Sequence, residues 1–156
     1  MTGRVQREIK PRKPFHRVED EAFVNIQRTA DALMQGLATA LKPTGLSPTQ
    51  YNVLRILRGA EPDGLACREI ADRMITRDPD ITRLLDRLED RGLVARSRDR
   101  ADRRVITTRI SDKGLRLLKD LDGPIEGLHR KQIGHLGGRK LRSLISLLEA
   151  ARTKAG

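Results

Sequence analysis

The segment 99–104 (DRADRR) concentrates three arginines and two aspartates within six residues. Guanidinium groups at this density suit the binding of a polyanion, because each presents a fixed positive charge and several donors to phosphate oxygens. The segment lies between two β-prone runs, 93–98 and 105–110, and a helical pattern ending at Arg91 and Gly92 precedes it. This order predicts a helix followed by a hairpin whose tip carries the arginines.

The distribution of charge supports the same interpretation. The formal net charge is +11 over 156 residues. Residues 1–17 carry a net +5, residues 92–110 a net +4 and residues 129–156 a net +6, whereas residues 76–91 carry a net −1. The positive charge therefore lies at the predicted hairpin and the two ends, which favours polyanion binding over a general solubilising surface.

Composition limits the remaining classes. The length fits one domain, and with only Phe15, Phe23 and Tyr51 as aromatics the core must consist of aliphatic side chains, which suits a helical class. The sequence has no apolar run long enough to span a membrane, and no apolar stretch follows the basic N-terminus as in a secretory signal. With Cys67 as the single cysteine, an internal disulfide is excluded, so we expect a cytoplasmic protein without a membrane partner.

The sequence offers no set of residues that would make an enzyme. It has no nucleophile–base set and no phosphate loop, and the three histidines are too scattered for a metal site. We therefore expect no catalytic residue, no metal and no cofactor. Cys67, beside Leu65 and Ala66, is best interpreted as a buried, inert thiol, although a thiol at a helix start can have a lowered pKa.

Periodicity predicts a helix at each end of a central region. Residues 1–17, with two prolines and no periodicity, are interpreted as a flexible basic arm. A helix follows, stopped by Pro43 and Gly45, and its apolar face is formed by Phe23, Ile26, Ala30, Leu33, Met34, Leu37 and Leu41. Near the C-terminus we expect a helix over 112–121, interrupted at Gly123-Pro124 and continuing to about residue 133, and a last helix over 138–152.

The central region contains strong signals for helix starts and ends. Ser47 as N-cap, Pro48 and Gln50 form a capping box for a helix to about residue 58. A short helix over 66–74 and a turn at 75–77 come next. Asp78 as N-cap and Pro79 then open a helix over 79–91, which Gly92 ends.

Two short helices joined by a tight turn form a helix-turn-helix, and the arginine-tipped hairpin adds a wing. We therefore predict a mainly α fold: a winged helix-turn-helix with a small β-hairpin wing and additional N- and C-terminal helices. In such a fold the second helix enters the major groove of DNA, and a wing arginine reaches a minor groove.

The stretch 46–118 resembles the MarR (multiple-antibiotic-resistance regulator) family of bacterial transcription factors. The matching segments are LSPTQYNVLRIL (46–57), REIADRM (68–74), DITRLLDRLEDRGLVARSRDRADRR (80–104) and ITTRISDKGLRLL (106–118). The resemblance implies a homodimer formed by the terminal helices, a pseudo-palindromic double-stranded DNA operator, and in many members release by a small anionic or phenolic effector. It divides the chain into the arm (1–17), an N-terminal dimerisation helix (18–45), a DNA-binding lobe (46–111) and C-terminal dimerisation helices (112–156).

The recognition helix, 79–91, presents the first group of candidate DNA-binding residues. Arg83 suits a bidentate contact to guanine, Thr82 a phosphate or a thymine methyl group, and Arg87 a phosphate, with Arg77 at the helix entry. The family commonly has small hydroxyl residues at this helix start, whereas this chain has RDPD (77–80). We interpret its two aspartates as a cap and a favourable charge at the helix N-terminus, with an accepted bond from cytosine as the alternative.

The wing presents the second group. Asp102 and Arg104 match the family's Asp-x-Arg motif, in which the arginine enters the minor groove and the aspartate orients its guanidinium. Arg98, Arg100 and Arg103 are interpreted as phosphate contacts. The alternative for Asp102 and Arg104 is an exposed ion pair that contributes little.

Function follows from these assignments. We expect a sequence-specific regulator, acting as a repressor and released by an effector bound where helices 18–41, 47–58 and 112–133 meet, with Tyr51, Phe23, Arg55 and Arg116 considered as lining residues. Binding would change the spacing of the two recognition helices. A non-specific architectural DNA-binding protein is the main alternative and predicts similar affinity for any duplex; a protein-interaction module would leave the wing without a purpose.

Overall fold

A computed structural model describes residues 3–11 and 13–156. Its fold is the predicted one, mainly helical with a small antiparallel sheet. In chain order the elements are α1 (Arg4–Ile9), α2 (Val18–Leu41), α3 (Pro48–Arg58), β1 (Leu65–Ala66), α4 (Cys67–Arg73), α5 (Ile81–Asp90), β2 (Val94–Arg98), β3 (Ile106–Ile110), α6 (Asp112–Ile133) and α7 (Gly138–Thr153). Short 3₁₀ turns follow α2 and α6.

Local capping fixes the start of α3 as the sequence predicts. The Ser47 hydroxyl accepts from the Gln50 amide at 3.1 Å, and the Gln50 side chain accepts from the Ser47 amide at 3.0 Å. Pro48 has no N–H, so two of the three unpaired amides at this helix start are thereby satisfied. Gly59 follows the last residue of the helix, as expected.

The wing is a hairpin of β2 and β3 in a sheet of order β1-β3-β2. The antiparallel register pairs Val94 with Ile110 and Arg98 with Ile106, which confirms the predicted hairpin. The sequence analysis missed β1 and assigned Ala66 to a helix, because a strand of two residues has no detectable periodicity. Gly64, at φ +76°, permits this pairing, since a Cβ there would lie 2.5 Å from the Thr108 carbonyl oxygen.

The predicted start of the recognition helix is wrong by two residues. The helix begins at Ile81, and the N-cap is Asp80, whose Oδ1 accepts from the Arg83 amide at 3.2 Å. Asp78 instead accepts from the Asp80 amide at 2.8 Å. This bond closes a local turn at residues 78–80, which competes with a helix that begins at residue 79. The predicted helix end is confirmed, because Gly92, at φ +70°, closes a Schellman motif with Leu93.

Two further expectations about helices are wrong. α6 continues through Pro124, which cannot donate the helical hydrogen bond of its turn, and the preceding Gly123 has no Cβ to clash with the proline ring. The arm contains helix α1, whose Val5 is buried and whose Glu8 lies 3.3 Å from Arg28 of α2. Other residues of the arm (Met1, Thr2 and Arg12) lie outside the described residues.

The core lies inside the winged lobe and the adjoining half of α6. Most of its fully buried side chains are leucines. Leu54, Leu57, Leu85, Leu88 and Leu118 come from α3, α5 and α6, and Leu41 of α2, Ile70 of α4 and Leu93 add to them. In the part of the chain that the structure describes, none of the helices is both long and apolar enough to cross a membrane.

Gly114 gives a direct test of this packing. A Cβ at Gly114 would lie 2.5 Å from the Leu93 carbonyl oxygen and 2.7 Å from Cγ1 of Ile110, so Gly114→Ala should destabilise the fold by about 1–3 kcal/mol. Thermal unfolding at one fixed protein concentration measures this. Gly127→Ala in the same helix is the matched control: among the described residues nothing lies within 4 Å of its Cβ, so it should raise Tm. Equal Tm for both variants would contradict the packing.

Candidate nucleic-acid interface

Helix α5 is held by its apolar side and exposes its polar side. Leu85 and Leu88 are buried, whereas the candidate residues Thr82, Arg83 and Arg87 are exposed. Arg77 is exposed in the turn that precedes the helix. That turn is tied to α3, because the Ile75 amide donates to Oδ1 of Asn52 at 3.0 Å. The four candidates therefore lie on or beside one solvent-facing side of α5.

The two aspartates at this helix start each use a carboxylate oxygen in a backbone hydrogen bond, as described above for Asp78 and Asp80. This supports their interpretation as local structural residues. Small hydroxyl residues, expected at this position from the resemblance, can cap a helix N-terminus in the same way. An aspartate can therefore replace them without loss of the N-cap.

The tip of the wing is organised by Asp99. Its Oδ1 accepts from the amides of Ala101 at 2.7 Å and Asp102 at 3.3 Å. Across the tip the Asp99 amide donates to the Val105 carbonyl at 2.9 Å, and the Val105 amide donates to the Asp102 carbonyl at 3.0 Å. These bonds close a defined turn, so the arginines project from an ordered tip.

Asp102 contacts Arg104, as the sequence predicts. One carboxylate oxygen accepts from the Arg104 amide at 3.0 Å and from its Nε at 3.1 Å, and the other accepts from a terminal nitrogen at 3.3 Å. This contact lowers the pKa of the Asp102 carboxyl. The Arg104 side chain is 92% exposed, so its guanidinium is oriented and still accessible.

The other wing arginines differ in their surroundings. Arg98 donates to the Arg103 carbonyl at 2.8 Å and so braces the tip, while Arg100 and Arg103 are exposed. Arg109 of β3 bonds Ser97 at 3.1 Å and the Pro62 carbonyl at 3.1 Å, which links the wing to the turn before β1.

Arg96 forms a cluster that the sequence analysis did not single out. A terminal nitrogen of Arg96 lies 2.6 Å from Asp86 Oδ1 and 2.9 Å from Glu89 Oε1, and the Arg96 amide donates to Glu89 Oε2 at 3.1 Å. The side-chain hydrogen bonds to Arg96 hold the pKa of the Glu89 carboxyl below its usual range and raise the pKa of the guanidinium. Asp86 and Glu89 share a face of α5 because they are three residues apart, and that spacing was the available signal.

A cavity of about 440 Å³ lies where α2, α3 and α6 meet, the junction named in the sequence analysis. Its lining includes Tyr51, Arg55 and His129, together with Ile75 and Thr76 from the turn before α5. The guanidinium carbon of Arg55 lies 5.8 Å from the centre of the Tyr51 ring. Phe23 and Arg116, also considered from the sequence, are outside the lining among the described residues.

Over residues 3–11 and 13–156, no group of three or more His, Cys, Asp and Glu side chains is arranged to hold a metal ion. Cys67 is half-buried at the first residue of α4 and packs against the core, so the expectation of a fully buried thiol is only partly met.

The Glu89–Arg96 pair has a measurable pH dependence. Because the pKa of Glu89 is lowered in the folded chain, its contribution to stability is present at neutral pH and is lost as the pH falls through the glutamate range. Glu89→Gln should therefore lower the free energy of unfolding near pH 7 by ~0.2–1 kcal/mol, the range typical of exposed pairs, and so lower Tm. The difference in Tm from the wild type should disappear at acid pH. A difference that stays constant from pH 7 to pH 3 would contradict the ion pair.

Comparison with known proteins places these features in a family. The model of the MarR family matches residues 46–106. The HTH-type transcriptional regulator MhqR of Bacillus subtilis (strain 168) is 30% identical over 101 residues, 64% of this chain and 67% of MhqR. A MarR transcription factor from Planctomyces limnophilus is 44% identical, and the match covers 88% of this chain and 99% of that one with a TM-score of 0.68.

A third similar structure contains a bound small molecule. CouR from Rhodococcus jostii RHA1, solved with p-coumaroyl-CoA, is 27% identical with a TM-score of 0.74, over 87% of this chain and 94% of CouR. The family match, the identity to regulators and the winged fold agree with one another. The chain belongs to the MarR family of winged helix-turn-helix transcriptional regulators.

Proposed function

We propose that this protein is a homodimeric, sequence-specific DNA-binding regulator that represses transcription by occupying a pseudo-palindromic operator. The observation that carries this proposal is the wing arginine, Arg104, held by Asp102 and almost fully exposed beside a recognition helix with an exposed polar side. A guanidinium held in one orientation at a hairpin tip suits a narrow, A·T-rich minor groove.

The recognition helix would supply base contacts and the wing would supply register. Arg83 and Thr82, in the first turn of α5, are placed for base edges, whereas Arg87 and Arg77 are better suited to phosphates. Arg98, Arg100 and Arg103 would add sequence-independent phosphate contacts around the wing. The net −1 of residues 76–91 favours selective docking by this helix over general polyanion binding.

Dimerisation would use the terminal helices, 18–45 and 112–156, and leave 46–111 as the DNA-binding lobe. None of the residues of α7 is buried in the single chain. Leu147 and Ile145 are 69% and 52% exposed, respectively. Phe23 on α2 is 64% exposed. Apolar surface of this extent on two long helices supports burial against a second copy.

Control by a small molecule would act at the cavity between α2, α3 and α6. Its lining is largely apolar with Arg55 and His129 among the polar groups, which suits a small aromatic acid or phenol. Since Ile75 and Thr76 of this cavity lead directly into α5, an occupant would shift the position of the recognition helix. CouR, with its bound p-coumaroyl-CoA, provides a precedent among similar structures.

DNA binding is tested by titrating the protein against a duplex selected from a random library and against a scrambled duplex of equal composition. A preference of about a thousandfold or more at physiological salt is expected for the wild type. Arg104→Ala should reduce the affinity for the selected duplex about tenfold, because a minor-groove contact is lost.

Arg100→Ala is the matched control at the same tip, and it should weaken both duplexes to a similar extent as a phosphate contact would. Sedimentation should give a dimer for both variants. Unchanged affinity in Arg104→Ala would remove the wing assignment, and equal wild-type affinity for both duplexes would favour the architectural alternative.

Effector binding is tested with benzoate and p-coumarate as probes. Either acid should raise Tm of the free protein and release the selected duplex, and Arg55→Ala should weaken this response about tenfold through loss of a charge-assisted hydrogen bond. Arg116→Ala, outside the cavity lining, should respond as the wild type does. The assignment of an aromatic acid fails if neither probe changes Tm or DNA binding.

A further inference from the structure

The connection between the recognition helix and the wing is short and contains a glycine. Only residues 91–93 separate α5 from β2, and Gly92 has φ +70°. The Schellman motif fixes the backbone at this junction, because the Gly92 amide donates to the Glu89 carbonyl and the Leu93 amide to the Leu88 carbonyl. Contacts between α5 and β2 beyond the junction then brace the hairpin against the helix.

Arg96 provides such a contact from the middle of β2. It is the middle residue of the edge strand β2 and is paired with Thr108 of the central strand β3, which is 1% exposed, so its backbone is held by the sheet. Glu89 holds Arg96 at two points, with one carboxylate oxygen on the guanidinium and the other on the backbone amide. Oδ1 of Asp86, one turn earlier on α5, accepts a hydrogen bond from the same guanidinium nitrogen at 2.6 Å.

We propose that Arg96 is a positioning residue for DNA recognition, which fixes the wing against α5 so that both reach their grooves together, and that it makes no DNA contact itself. The inference rests on the proposed DNA-binding function. The Arg96 side chain is 21% exposed, whereas that of Arg104 is 92% exposed. In addition, two carboxylates neutralise the Arg96 guanidinium, which leaves little net positive charge to attract a phosphate.

Neutralising Glu89 distinguishes a positioning role from simple electrostatic repulsion, because the two roles change DNA affinity in opposite directions. A carboxylate on the recognition helix that only repelled DNA would, when neutralised, tighten the binding of every duplex. A carboxylate that holds the wing in position would, when neutralised, weaken the binding of the selected duplex. The two roles therefore predict opposite changes in Glu89→Gln.

The experiment measures affinity for the selected and scrambled duplexes over a series of salt concentrations. Arg96→Ala and Arg96→Lys should lower the affinity for the selected duplex about tenfold and leave the dependence of log affinity on log salt unchanged, because no phosphate contact is lost. Arg100→Ala, at the exposed tip of the same hairpin, is the matched control: it should lower both affinities and reduce the slope of log affinity against log salt by about one.

Glu89→Gln should weaken the selected duplex and leave the scrambled one equal or tighter. The proposal is overturned if the Arg96 variants reduce the salt slope as Arg100→Ala does, if they leave the affinity for the selected duplex unchanged, or if Glu89→Gln tightens the binding of that duplex. Arg96→Lys keeps the positive charge and most of the side-chain length, so a loss of affinity in this variant reflects the lost guanidinium geometry. Tm of each variant, measured without DNA, shows that binding is measured on folded protein.

The wild type distinguishes the two levels of the hypothesis. A wild-type protein with no preference for the selected duplex overturns the proposed function, and this inference with it. A wild type with that preference, retained in full by both Arg96 variants, overturns the positioning role alone.

Discussion

The burial of α3 is the constraint on which the rest of the lobe depends. Val53, Leu54 and Leu57 are fully buried, and α5, α6 and the sheet complete the core around them. Among the described residues Tyr51 is the aromatic side chain of this core, and aliphatic side chains packed closely against one another fill the rest. At Gly114 the limit is instead the close approach of the Leu93 carbonyl oxygen, which would lie 2.5 Å from a Cβ.

The same helix brings the core, the turn before the recognition helix and the cavity into one unit. Asn52 holds the Ile75 amide, Tyr51 and Arg55 line the cavity, and Arg58 forms an ion pair with Asp122 of α6 at 3.0 Å. Tyr51, Arg55 and Arg58 share one face of α3, at positions i, i+4 and i+7, and Asn52 lies beside that face. A shift of α3 against α2 or α6 would therefore move the start of α5 as well.

Local signals in the sequence were sufficient for most of the fold and for part of the site. The capping box at Ser47, the helix end at Gly92 and the hairpin depend on residues within a few positions of each other, and all three were predicted. The two-residue strand β1 and the continuity of α6 through Pro124 depend on tertiary context, so local rules failed there. The exchange of roles between Asp78 and Asp80 reflects two competing caps, both plausible from the sequence.

The candidate site divides in the same way. The pairing of Asp102 with Arg104 follows from a spacing of two residues on an extended segment, whereas the Arg96 cluster joins a strand to a helix and needs their relative placement. The exposed roles of Arg83 and Arg87 could be predicted from the apolar stripe opposite them. The identity of each base contact depends on the DNA, and the side chains alone do not encode it.

The presence of Ile75 and Thr76 in the cavity wall has a thermodynamic consequence. A ligand that displaces the turn before α5 weakens DNA binding by some factor, and reciprocity requires DNA to weaken the ligand by the same factor. Free protein and operator-bound protein would then differ in their sensitivity to the same compound. The concentration at which a promoter responds would be set by the abundance of operator and competing chromosomal sites as much as by the cavity itself.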